Sequence, residues 1–185
     1  GSIRGVTMYN CFVSGTIADS FVSGEGNIMQ RLTEAVTTMR LGGGIGYEFS
    51  TLRPKNAIIK KLGSKSSGPL AFMDMFDAGC GCVKSAGDRR GAQMGTFDIH
   101  HPDIMDFIHA KQGSGRFKNF NLSVLVTDEF MKALNAGTMY QLRFGGESYG
   151  EADPRVVWDA IMRSTYDWAE PGVIFIDEIN RRNNL

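Results

Sequence analysis

Residues 69–99 read PLAFMDMFDAGCGCVKSAGDRRGAQMGTFDI, and they set the architecture because they pass from a helix through a basic, glycine-rich loop into a strand. Proline suits a first helical position, where its missing N–H has no partner to lose, so Pro69 opens a helix whose apolar face uses Leu70, Met73, Phe76 and Cys80. A strand is expected from Ala92 to Ile99. Between them, Ser85 to Met94 places Arg89 and Arg90 among small residues. Arginine offers a planar fork of donors that stays charged, and glycine lets main chain approach a ligand without a Cβ in the way. On these residues alone, an ordinary solvated turn and a phosphate-handling loop both stay open.

The alternation extends in both directions. Upstream, Thr7 to Val13 reads as a buried strand ending in Cys11-Phe12-Val13. A helix carrying Ile28, Leu32, Ala35 and Met39 follows and is stopped by Gly42 to Gly44, and a second strand is expected from Gly44 to Phe49. Downstream, Pro102 begins a helix through Lys111 with Ile104, Phe107 and Ile108 inward. Asn121 to Val126 is a strand, Thr127 can cap the next helix with Asp128 and Glu129 well placed against its dipole, and Gly137 lies past its end. After an irregular polar connection, Asp153-Pro154 starts a helix with Val157, Ile161 and Trp168 on one side. Pro171-Gly172 then turns into a fifth strand, Val173 to Ile176. The fold class is α/β: five parallel strands with crossover helices, either an open doubly wound sheet or part of a barrel, with ligands expected at the carboxyl ends of the strands.

Composition excludes several functions. Lys plus Arg equals Asp plus Glu at 20 each, so no broad basic field exists to hold nucleic acid or an anionic membrane. No apolar run is long enough to span a bilayer and no signal-peptide pattern is present, so a cytoplasmic location is the expectation. Three cysteines, Cys11, Cys80 and Cys82, fit reduced thiols better than a disulfide framework. No dinucleotide or phosphate-loop fingerprint occurs. Asp98, His100, His101, Asp103 and His109 match no zinc spacing, so no metal is expected. Cys80-Gly81-Cys82 is neither a zinc nor a thioredoxin-like pair, and both thiols are expected to pack in a helix.

Asn10-Cys11-Phe12-Val13, Gly43-Gly44-Ile45-Gly46 with Leu52-Arg53-Pro54, Ser67-Gly68-Pro69 leading to Phe72-Met73, Arg89-Arg90-Gly91-Ala92-Gln93-Met94, His101-Pro102-Asp103, and Phe120 to Val124 with Thr127 to Met131 occur in one order along the chain. In that order the chain resembles the catalytic subunit of ribonucleotide reductases, closest to the adenosylcobalamin-dependent class II enzymes. The resemblance implies a ten-stranded barrel of two five-stranded halves, of which residues 1–185 would be the first, forming a single partial domain.

It also implies a chemistry. Cys11 matches one of two cysteines that supply electrons when a thiyl radical has activated the ribose of a ribonucleotide substrate, and Asn10, Gly43 and Gly44 match positions beside that substrate. An allosteric ATP or deoxynucleoside triphosphate effector is implied near Asp19, Ser20 and Arg53, with a first loop holding Lys61, Ser64 and Lys65 and a second holding Ser85, Asp88, Arg89 and Arg90. One extra residue separates Cys11 from Asp19 relative to the family pattern. The stripe of Ile28, Leu32 and Met39 is expected to lie partly in a homodimer contact.

The radical-bearing cysteine, the second reducing cysteine and an amino-terminal ATP-cone domain match nothing in these residues. The expectation is therefore an engineered truncation or one product of a split gene, inactive without the C-terminal half and, when complete, served by a thioredoxin-like reductant. The alternative is a non-catalytic nucleotide-binding or assembly module that keeps only the effector site. A less favoured alternative is an unrelated α/β-barrel enzyme with anionic substrates.

Overall fold

The computed structural model describes residues 9–59, 63–83, 91–113 and 115–183. In chain order the elements are β1 (Cys11–Val13), α1 (Ile28–Arg40), β2 (Gly44–Glu48), β3 (Ile58–Ile59), β4 (Ser64–Lys65), α2 (Pro69–Cys82), β5 (Gln93–Asp98), α3 (Ile104–Ile108), β6 (Phe120–Val126), α4 (Asp128–Ala136), β7 (Tyr140–Phe144), β8 (Glu147–Ala152), α5 (Pro154–Trp168), β9 (Gly172–Phe175) and α6 (Ile176–Arg182).

Local chemistry explains the helix starts. Asn27 caps α1 by accepting from Gln30 N, Thr127 caps α4 by accepting from Phe130 N, and Asp153 caps α5 by accepting from Arg155 N. Proline opens α2 and α5, and Gly137 ends α4 in the left-handed region, with φ 67°.

The main sheet has the order β1-β2-β5-β6-β9, and every neighbouring pair is parallel. Strand order follows chain order with no reversal, which decides between the two architectures left open by the sequence. A doubly wound sheet needs a switch point, whereas crossovers of one hand that always advance the same way keep every helix on one face.

The burial pattern agrees. Ile45 and Tyr47, then Gln93, Gly95 and Phe97, then Phe120, Leu122, Val124 and Val126 are buried, while their strand neighbours on the other face are mostly partly open. On the helix side, Phe49, Phe76, Phe97, Phe107, Phe117, Phe120 and Phe130 are all fully buried. Their rings meet edge to face at Tyr47–Phe76 (5.0 Å) and Phe49–Phe76 (5.3 Å) and stack at Phe97–Phe107 (4.6 Å).

Several expectations need correction. The first strand is not buried: Cys11 is exposed and Val13 is 93% exposed, because β1 is an edge strand whose Phe12 alone turns to the helices. Thr7 and Met8 lie outside the described residues. The α1 stripe is used within the chain: Ile28, Ala35 and Met39 are buried, and Leu32 and Val36 close on Gly79 of α2, where a Cβ would sit 3.2 Å and 3.3 Å from them.

Trp168 does not join Val157 and Ile161 inside; it is 52% exposed, and Ser164 takes the inward place, its one hydroxyl hydrogen shared between Glu170 O at 2.8 Å and Ile108 O at 3.1 Å. Cys82 is exposed and only Cys80 packs. The polar connection before α5 is an antiparallel hairpin, β7–β8, turned at Gly145 and Gly146, both with positive φ.

Candidate functional site

Register assigns side chains to faces. Cys11 lies opposite Gly44 and Val13 opposite Gly46; Gly46, Met94 and Asn121 share the next row, and Glu48, Thr96 and Ser123 the one after. All project from the face away from the helices, since Phe12, Ile45 and Gln93 occupy the alternate positions. Cys11 thus stands exposed beside a strip of β2 with no side chains. A Cβ at Gly44 would meet Ala92 O at 3.4 Å and Asn10 O at 3.5 Å, and one at Gly46 would come no closer than 3.8 Å to Met94. Asn10, itself exposed, fixes this edge through its carbonyl, which accepts from Gly44 N at 2.7 Å.

Gly43 differs from Gly44. Its Cβ would sit 2.7 Å from the Phe12 ring and 3.0 Å from Thr38, so it serves helix-side packing and not the open face. Gly46, Met94 and Asn121 join Cys11 on the open face. Gly46 was signalled by its period-two spacing from Gly44 along one strand, whereas Met94 and Asn121 needed the register between strands.

Ser85, Asp88, Arg89 and Arg90 lie outside the described residues, as does Lys61. Gly91, which leads into β5, is closely packed. A Cβ on Gly91 would meet Cys80 Sγ at 2.8 Å and Met39 Sδ at 3.0 Å. Gln93 accepts from Tyr47 Oη at 2.9 Å and donates to Phe76 O at 3.2 Å. Burial first, and Asp77 second, push the Cys80 thiol above its ordinary pKa, which keeps it protonated and unreactive. Cys11, Gly44 and Gly91–Gln93 therefore gather at the amino-terminal ends of β1, β2 and β5, not at the carboxyl ends as expected, because Cys11, Gly44 and Gln93 each begin a strand.

A second cluster does follow the carboxyl ends of β1 and β2. Arg53 Nε donates to Asp19 Oδ2 at 2.7 Å and Arg53 N to Asp19 Oδ1 at 3.2 Å. Ser20 Oγ accepts from Ser23 N at 3.1 Å. Ser64 and Lys65 are exposed on β4, and the following Ser66 donates to Arg53 O at 3.4 Å, so the β3–β4 hairpin is tied to the Arg53 turn.

The same turn is held from below. Buried His101 donates through Nε2 to Leu52 O at 3.0 Å while its Nδ1 accepts from Asp103 N at 3.0 Å, and Asp103 Oδ2 accepts from Lys55 N at 2.8 Å. This pattern fixes a neutral ring, in keeping with burial lowering the His101 pKa against weaker opposing effects from the Leu52 carbonyl, Asp103 and Asp98. His100 bonds Gln141 O at 2.9 Å and Thr127 Oγ1 at 2.8 Å. Among the described residues no group of acidic, cysteine and histidine side chains is arranged as metal ligands.

The ribonucleotide reductase barrel-domain family model matches residues 9–185, nearly the whole chain. The chain belongs to the ribonucleotide reductase family. A vitamin B12-dependent ribonucleoside-diphosphate reductase of Thermoplasma acidophilum is 38% identical over 91% of this chain, and one of Mycobacterium tuberculosis is 39% identical over 94%. The chain spans about a quarter of the length of these relatives, 23% and 25%.

The Actinobacillus ureae class Id ribonucleotide reductase alpha subunit superposes with a TM-score of 0.76 over 97% of this chain and 29% of its own, at 22% identity, which establishes the shared fold. The five parallel strands are thus a piece of the reductase barrel, an arrangement with which their order agrees. Among the described residues no helix is long and apolar enough to cross a membrane.

Proposed function

We propose that this chain is the first half of a reductase barrel that converts ribonucleotides to deoxyribonucleotides, with Cys11 as one of the two reducing thiols. The observation that supports it is the exposed Cys11 beside the Gly44–Gly46 strip, on a sheet face whose opposite side is filled with core. A sugar lying on bare backbone would come within reach of the thiol.

In the proposed step two thiols become one disulfide, releasing two electrons and two protons; the ribose 2′ oxygen leaves as water and hydrogen takes its place. The second thiol and the radical-bearing cysteine come from the C-terminal half, and a thioredoxin-like dithiol restores the pair. Adenosylcobalamin, which the relatives' names imply, would supply the radical.

Effector control belongs to the same proposal. Asp19 and Ser20 can accept from ribose hydroxyls, while Arg53, with Lys61, Lys65, Arg89 and Arg90, can pair with the phosphates of ATP or a deoxynucleoside triphosphate. Ser64, Ser85 and Asp88 would complete the two loops. A homodimer would use the part of α1 left open by the burial of Ile28 and Met39, and the whole enzyme would work in the cytoplasm.

The test is Cys11→Ser in the reductase that contains this segment. Deoxyribonucleotide formation should vanish with a dithiol reductant while effector binding persists; full activity of the variant would remove the redox role. The alternative, an effector-binding module without chemistry, predicts nucleotide binding and no activity with Cys11 intact.

A further inference from the structure

We propose that His101 and Asp103 are positioning residues that set Arg53 for effector recognition. This inference rests on the effector reading of Asp19 and Arg53. Arg53 sits in a short turn with one anchor on each side: the Leu52 carbonyl before it is held by His101 Nε2, and the Lys55 N–H after it is held by Asp103 Oδ2. The two anchors are coupled, because Asp103 N donates back to His101 Nδ1. The turn is therefore clamped at both ends, and the guanidinium swings from a fixed base onto Asp19.

The His101 ring has no freedom to adjust. It is 2% exposed and edge-on to Phe97 (4.6 Å) and Phe144 (5.6 Å), which ties the clamp to β5 and to the β7–β8 hairpin. A side chain in this position could have been a simple hydrophobe if filling space were its only task. A doubly bonded neutral histidine instead carries two directional constraints to a turn that holds a charged group.

A charged phosphate partner rewards such preorganisation, because a guanidinium already aimed loses less freedom on binding. Protonation of His101 would turn Nδ1 from acceptor into donor against the Asp103 N–H. The groups facing the ring are Asp98 on β5, Asp103 on its own turn, and the Leu52 carbonyl of the Arg53 turn. The clamp should therefore open toward acid.

The experiment compares His101→Leu, His101→Gln, Asp103→Ala and Asp103→Asn in the reductase that contains this segment, with dTTP and ATP as probes. Each variant is read by calorimetric titration and by amide exchange at Arg53 and Lys55. His101→Leu and Asp103→Ala should weaken nucleotide binding about fivefold or more. Asp103→Asn, which keeps an acceptor, and His101→Gln, which keeps a donor, should recover part of the loss.

As pH falls through the depressed His101 pKa, wild-type affinity should drop more steeply than that of His101→Gln, a difference a merely structural side chain would not produce. If the wild type binds neither nucleotide, the effector reading fails, and exchange decides the clamp alone. Faster exchange at the Arg53 and Lys55 amides in Asp103→Ala, with β5 and β6 unchanged, supports it. Unchanged exchange at Arg53 in Asp103→Ala overturns the proposal, and so does wild-type affinity in His101→Leu. Should His101→Leu fail to fold, the partly exposed Asp103 pair carries both readouts.

Discussion

The two faces of the main sheet are built on one hydrogen-bonded ladder yet obey different rules. On the helix side, Tyr47, Phe97, Phe120 and Val124 are all at most 3% exposed; Tyr47 packs on Phe76, Phe120 on Phe49, and Phe97 on Phe107. On the other side stand Cys11, Gly44, Gly46, Met94 and Asn121, with Val13 almost fully exposed.

Residue choice on the first face follows from packing. On the second it does not: glycine inside a strand costs roughly 0.5–1 kcal/mol relative to alanine, and at positions 44 and 46 the surroundings leave room for a Cβ. Gly43, one residue earlier, is glycine for a plain steric reason. The contrast separates a glycine that the fold requires from two that it merely tolerates, and the latter call for something that lies on the face.

The comparison breaks most visibly on the packed side. Phe76→Ala removes a fully buried ring shared by Tyr47 and Phe49, and should lower the unfolding free energy by about 3–5 kcal/mol, read from the denaturant midpoint at unchanged slope. Tyr47→Phe is subtler. Burial, with Cys80 beside it, holds the Tyr47 phenol far above its ordinary pKa, so its hydroxyl remains a donor to Gln93. Deleting it leaves a buried amide oxygen without that donor and should cost about 1–3 kcal/mol, with faster amide exchange at Gln93.

A third measurement probes the clamp under Arg53. His101 has a folded pKa below its ordinary 6.5, so the unfolded chain binds the proton first. Stability is then full above pH 6.5 and falls as pH drops from there toward the depressed folded value. His101→Gln should flatten that part of the stability profile; an unchanged slope would place the titrating group elsewhere.

How much of this was legible beforehand depends on which physics each residue answers to. Pro69, Thr127, Asp153 and Gly137 announced their helix ends because capping is local chemistry. The strand cores announced themselves by apolar runs. The β7–β8 hairpin was missed: Tyr140-Gln141-Leu142-Arg143-Phe144 alternates and Gly145-Gly146 can turn the chain, but exposed β8 shows no alternation and hid the pairing.

Edge exposure was not legible. Cys11-Phe12-Val13 reads the same whether one neighbour or two flank the strand, so its burial is a property of the sheet and not of the tripeptide. The division between Gly43 and Gly44 likewise needed the register, and the His101–Asp103 clamp joins residues 49 positions apart at the Leu52 carbonyl.

The smallest expected change in stability carries the sharpest test of the two-face contrast. Neither Gly44 nor Gly46 adopts a left-handed backbone, and an alanine Cβ at either finds only ordinary contacts. Gly44→Ala and Gly46→Ala should therefore leave the chain as stable or raise its stability by up to about 1 kcal/mol, through the loss of backbone freedom in the unfolded state. Gly43→Ala must instead displace Phe12 or Thr38 and should destabilise. If the bare strip exists to receive a sugar beside Cys11, the two harmless substitutions should cut kcat/KM of the reductase by about tenfold or more, since a methyl group there shifts the substrate from the thiol. Wild-type kinetics in both variants would show that the strip is empty for no catalytic reason, and the open face would lose its claim to the substrate.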